Sequence, residues 1–117
     1  MPTYELADVH YLVQAGAYVF ATPDCRTDIR GLGLTEEQAA SILLLLRPED
    51  FRSIFHTPCK HDFGASICDD YVLWVDISTM QRCAKNAGDK LYIKLTIDAD
   101  PTEGDGLLVI SFHESKR

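Results

Sequence analysis

No CxxC pair, HExxH helix, GxSxG elbow or glycine-rich phosphate loop occurs in the chain. Their absence removes the common zinc-ribbon, metalloprotease, serine-hydrolase and nucleotide-cradling readings. The four cysteines, Cys25, Cys59, Cys68 and Cys83, match no zinc-ribbon spacing. Met1 to Ala15 carries Glu5 and Asp8 with no basic lead-in, so no secretion signal is expected, the protein should be cytoplasmic and its thiols should be reduced. The greasiest run, Leu43 to Leu46, falls far short of the ~20 residues that span a bilayer, so no membrane partner is expected. Positive charge is scarce: 11 Lys and Arg stand against 18 Asp and Glu, a net charge of −7. That balance argues against generic nucleic-acid binding, which needs cations to displace condensed counterions. Repeats, low-complexity segments and linkers are absent, so residues 1–117 are expected to form one domain.

The clearest positive signal is Lys90 to Ile97. Leu91, Ile93, Leu95 and Ile97 alternate with Tyr92, Lys94 and Thr96, and period two over a full strand length predicts a strand with one buried face. Leu107 to His113 predicts a second strand, with Leu108, Ile110 and Phe112 on one side and Ser111 and His113 on the other. Asp98 to Gly106, rich in Asp, Gly and Pro, makes them a hairpin with a long acidic tip.

Helical signals come earlier. Leu6, Val9, Leu12 and Val13 form a stripe that ends at Gly16. Ala17 to Ala21 reads as a short strand or extended link. Thr22-Pro23 reads as a cap followed by Pro at the first helical position, opening a short helix to about Arg30. Thr35-Glu36-Glu37-Gln38 has the form of a capping box, and Ala39, Ile42, Leu43 and Leu46 follow at helical spacing. Pro48 closes that helix or opens a short turn to Arg52. Ser53 to Asp70 reads as a strand fragment followed by a loop, Tyr71 to Ile77 as a strand of ambiguous phase, and Ser78 to Asp89 as a loop or single helical turn. The expected fold class is α+β: N-terminal helices packed on a mainly antiparallel sheet that ends in the long-tipped hairpin.

Pairing the two hairpin strands puts Tyr92, Lys94, Thr96, Ser111 and His113 on one polar face. A phenol or imidazole can move a proton, and a lysine can stabilise charge on phosphate. That set suits metal-free RNA cleavage by the ribose 2′-hydroxyl; the plainer alternative is a solvated sheet face. Basic residues also gather late in the chain: of the 11, only Arg26 and Arg30 precede Arg47. A local basic groove on an acidic body is therefore compatible with the overall charge. His56, Cys59, His61 and Cys68 have the side chains zinc prefers, but their spacing matches no known structural site, so the expectation is no metal, with these four as the alternative.

Six short motifs in order give the chain a family likeness. They are Leu12-Val13-Gln14-Ala15-Gly16, Leu32-Gly33-Leu34, Asp50-Phe51, Trp74-Val75-Asp76-Ile77, Tyr92-Ile93-Lys94-Leu95-Thr96 and Leu108-Val109-Ile110-Ser111-Phe112. In this order and spacing the chain resembles the MqsR toxins of bacterial toxin–antitoxin modules, from about Leu6 to His113. The resemblance implies a small fold akin to RelE-type ribonucleases, metal-independent mRNA cleavage at short sequences without a bound cofactor, and an antitoxin partner. The family's proposed site uses a Tyr and basic residues on the sheet, with a Gln after the Trp. Here Tyr92 and Lys94 keep their places, and His113 stands for the Lys that ends the last strand. Ser53 replaces a Lys next to Arg52, and Val75 replaces the Gln.

Two functions follow. In the first, Tyr92, His113 and Arg52 are catalytic, while Lys94, Thr96, Lys60 and Trp74 bind an mRNA substrate and the His56–Cys68 segment helps select sequence. In the alternative, the scaffold is a non-enzymatic acidic binding or inhibitory protein, phage- or mobile-element-borne, that grips a basic protein surface. Val75, the net charge and the acidic hairpin tip favour that alternative.

Overall fold

The computed structural model describes the backbone of residues 2–61, 64–100 and 104–115, and the side chains of residues 2–52, 67–97 and 106–115. The chain opens with α1 (Leu6–Gln14), β1 (Tyr18–Phe20), α2 (Pro23–Gly31) and α3 (Glu36–Leu43), then a 3-10 turn at Pro48–Asp50. β2 (Phe51–His61), β3 (Gly64–Asp76), β4 (Gln81–Arg82), β5 (Asp89–Asp100) and β6 (Gly104–Glu114) follow. This is the expected α+β arrangement, with helices first and a mainly antiparallel sheet after them.

The helix starts follow their local chemistry. Thr22 Oγ1 accepts from the Cys25 amide at 3.0 Å, and Pro23 occupies the first turn, where no donor is needed. At α3 the Thr35 and Gln38 side chains each take the other's backbone amide, at 3.1 and 2.9 Å. α3 ends at Leu43 and tightens into i→i+3 bonds through Leu46, earlier than the apolar spacing predicts.

The strand order is β1-β6-β5-β3-β2, with β4 pairing the far end of β3. β1 lies parallel to β6 and every other pairing is antiparallel. The helices cover one face. Val9 and Val13 of α1, Ile29 of α2 and Ile42 of α3 pack on Tyr71, Leu73, Val75, Leu91, Ile93, Leu95, Val109 and Phe112. Each such side chain contributes about 1.5–3 kcal/mol on burial, and this layer orients the sheet.

Three sequence expectations change. Ser53 to Asp70 is not a strand fragment and loop: β2 and β3 pair from Phe51↔Tyr71 to His61↔Gly64. Gly64, Pro58 and the small residues there hide the alternation, yet backbone pairing does not depend on it. The β5–β6 ladder likewise continues to Asp100↔Gly104, taking in residues expected in the turn. The phase of β6 also differs. Lys94 faces Ser111 but Leu95 faces Val109, so Ile110 is an extra residue, a β-bulge. The bulge sends Phe112 to the helix side with Val109. Leu108 and Ile110 instead join Ala21 and Cys68 in a second buried cluster.

Candidate functional site

β3, β5 and β6 present their second face in rows. Register sets Val72, Tyr92 and His113 side by side, and places Asp70, Lys94 and Ser111 in the next row. On the other side Trp74 stands opposite Lys90, whose carbonyl accepts from the Ser115 amide at 2.7 Å. Arg52 sits at the irregular start of β2, beside the Phe51↔Tyr71 pair. The fold thus brings Tyr92, His113, Lys94 and Trp74 onto one face with Arg52 at its margin.

Tyr92 and His113 are in contact. Their rings stack with centroids 5.2 Å apart and planes 26° off parallel. His113 Nδ1 lies 3.0 Å from the Glu114 carbonyl. A carbonyl only accepts, so Nδ1 is the donor of this contact, and in the neutral tautomer it leaves Nε2 as the accepting nitrogen.

Tyr92 is held as the neutral phenol. Burial raises its pKa, and the charge of Asp70 and a side-chain hydrogen bond to that carboxylate raise it further. The phenol therefore stays protonated near neutrality and acts as a donor rather than a base. Asp70 is itself buried, at 4% exposure. The sequence reading missed it because it started the strand at Tyr71. Asp70, Val72 and Trp74 alternate on one face, and that spacing was the available signal.

Other expected site residues are engaged in structural hydrogen bonds or turn away from this face. Thr96 is fully buried, donates to the Ile67 carbonyl at 2.8 Å and meets Tyr4 Oη at 2.8 Å. Its hydroxyl ties down the N-terminal segment, together with the Asp69 carboxylate, which accepts from the Thr3 and Tyr4 amides at 2.9 Å. Arg52 is exposed, and its Nη1 donates to the Glu49 and Phe51 carbonyls at 3.1 Å. Val75 points into the helix-side core at 0% exposure. Its lack of polar atoms therefore takes nothing from the Tyr92 face.

The side chains of Ser53, His56, Cys59, Lys60 and His61 lie outside the described residues. Cys68 is buried and disulfide-bonded, whereas reduced thiols were expected, so its sulfur is not a thiolate ligand. Cys25 and Cys83 are free. Among the described residues no group of three or more His, Cys, Asp or Glu could hold a metal ion, and no helix is long and apolar enough to cross a membrane.

A groove of about 630 Å³ adjoins this face. It opens where the outer edge of β3 passes from β2 to β4, and Trp74, Arg52, Lys90, Arg82 and Lys85 line it. Lys90 Nζ stands 5.9 Å from the centre of the Trp74 ring. Arg82 is pinned by Asp50, with Nη1–Oδ2 at 2.6 Å and Nη2–Oδ1 at 3.1 Å.

A model of one protein family, described as motility quorum-sensing regulator, toxin of MqsA, matches residues 1–114. The chain belongs to that family. It is a toxin of the MqsR type, and the matched span takes in every element from α1 to β6. No curated protein and no solved structure matches significantly. This MqsR-type toxin carries Tyr92 and Lys94 on β5 and an imidazole, His113, near the end of β6.

Proposed function

We propose that this MqsR-type toxin is a cytoplasmic, metal-independent endoribonuclease that cleaves mRNA and is neutralised by a cognate antitoxin. The observation that carries the reading is the Tyr92–His113 pair: an imidazole and a phenol, each able to move a proton, in ring contact on one face of the sheet.

The ribose 2′-hydroxyl attacks the adjacent phosphorus, and His113 Nε2 takes its proton. The bond from phosphorus to the 5′-oxygen breaks, and the Tyr92 phenol gives that oxygen a proton. The products are a 2′,3′-cyclic phosphate and a 5′-hydroxyl. His113 then returns its proton through solvent and Tyr92 is reprotonated. Lys94 and Arg52 stabilise the additional negative charge on the phosphate oxygens. The net charge of −7 does not oppose this, because cations gather at the sheet face and its groove while Asp8, Asp24, Asp28, Glu36 and Glu37 lie on the helices.

The test is incubation with mixed-sequence mRNA in EDTA, beside a Tyr92→Phe/His113→Ala double variant. Cleavage by the wild type alone, ending in cyclic phosphate, is expected. Equal cleavage by both proteins would reject this site. No cleavage by either, with no growth arrest on expression, would reject the ribonuclease.

A further inference from the structure

The groove beside Trp74 is distinct from the Tyr92–His113 pair, neither of which lines it. Trp74, partly exposed, offers an indole face, and Lys85 and Lys90 bring ammonium groups to the same space. Of the carboxylates lining it, Asp50 is neutralised by Arg82, which leaves Glu49 against three exposed or half-exposed cations, Arg52, Lys85 and Lys90. An aromatic platform with cations around it is the arrangement that binds single-stranded nucleic acid, the ring stacking a base and the cations holding phosphate.

The wall of the groove is fixed in shape. The Cys83 amide donates to the Trp74 carbonyl at 2.9 Å, so the β4–β5 connection is tied to the strand that carries the indole. At Gly88, with φ at +74°, a Cβ would stand 2.6 Å from Cys83 Sγ and 2.7 Å from the Val75 carbonyl oxygen. Asn86 lines the same space from a left-handed backbone position, φ 69°, and an amide there can pair with a base edge. Position matters too. Trp74–Lys90 is the row next to Val72–Tyr92–His113, about 7 Å away along the strand. One RNA strand can reach both.

We propose that this groove is a nucleotide subsite that sets which base neighbours the cleaved bond. The base stacks on Trp74, Lys85 and Lys90 take its phosphate, and Asn86 reads its edge. The assignment rests on the ribonuclease reading for its meaning, but its binding chemistry is separately measurable.

Trp74 is the one tryptophan in the chain, so its fluorescence reports on the groove alone. The probe is a mixed-sequence hexanucleotide with every 2′-hydroxyl methylated, which cannot be cleaved through that oxygen. The expected result is saturable quenching that weakens with salt, with affinity lowered about tenfold by Lys85→Ala. Asn86→Gly, which suits the same φ, should broaden the base preference beside the cleaved bond when cleavage sites in mRNA are sequenced. Cleavage of mRNA without quenching, and with an unchanged site preference in Asn86→Gly, overturns the subsite and leaves the ribonuclease standing. Quenching without cleavage overturns the ribonuclease and keeps the groove as an RNA-binding site. Absence of both overturns both.

Discussion

The imidazole of His113 lies on the phenol ring of Tyr92, 5.2 Å between centroids. The contact is made by the rings, so Tyr92→Phe keeps it and removes only the hydroxyl. The expected outcome is a fall in mRNA cleavage of about 100-fold or more, the usual scale for a lost proton donor. Denaturant stability should fall by about 1.5–3 kcal/mol, the worth of one hydrogen bond to a charged group. Wild-type cleavage rates in Tyr92→Phe would show that the phenol has no part in the chemistry.

Asp70 should be visible in the titration of Tyr92. Burial is the first cause of the raised phenol pKa and the Asp70 charge the second. Asp70→Asn removes that charge together with the hydrogen bond to a carboxylate, and leaves burial in place. Tyrosinate absorbance, taken as the difference from a matched Tyr92→Phe protein, should show a downward shift that stops above the ordinary tyrosine value. An unchanged titration would mean that Asp70 does not act on Tyr92.

Alkali should weaken the fold in a predictable window. Burial, with Asp28 adding to it, pushes the Cys25 thiol from 9.0 to about 12; burial, with Asp69 and Asp50, pushes the Tyr71 phenol from 10.0 to about 12. Both folded values lie above the unfolded ones. Their stabilisation is therefore complete below about pH 9 and is lost as pH climbs toward 12, by up to about 1.4 kcal/mol per pH unit per group. Melting temperature against pH should bend downward there, and the bend should shrink in Cys25→Ala. The Tyr71 hydroxyl is buried with no hydrogen-bond partner among the described residues, so Tyr71→Phe should be neutral or stabilising at pH 7.

The Asp50–Arg82 pair joins the 3-10 turn to β4. Asp50 also accepts from the Arg47 amide at 2.8 Å, and Arg82 Nη1 reaches the Leu45 carbonyl at 3.0 Å. Asp50→Ala strands a half-buried guanidinium and uncaps the turn, and should cost about 3 kcal/mol in urea unfolding. The double variant Asp50→Ala/Arg82→Met should cost less than the two single changes added together. Strict additivity would mean that the pair carries no coupling.

Strong local signals transferred well from sequence to structure. The Thr35 capping box, the Thr22-Pro23 helix start and the alternation of Lys90–Ile97 depend on neighbours within a few positions, and each is present. Long-range pairing was less legible. β2 and the first half of β3 lack a clean period, because their pairing rests on backbone groups common to all residues. Thr96 looked like a ligand contact since period two placed it beside Tyr92, and nothing in the strand foretold that Tyr4, 92 positions away, would claim its hydroxyl. Asp70 escaped notice because the strand was started one residue too late, and Lys85 and Asn86 because they reach the groove only through the path of the β4–β5 connection.

The extra residue at Ile110 is a removable insertion in β6. Leu107, Val109 and Phe112 belong to the helix-side core, while Leu108 joins the second cluster and Ser111 and His113 lie in the rows of Lys94 and Tyr92. With Ile110 deleted, these residues alternate without a break, Lys94 still faces Ser111 and Leu95 still faces Val109. The chain can lose this codon without turning a side chain over, and gives up only the local kink and one apolar contact with the second cluster.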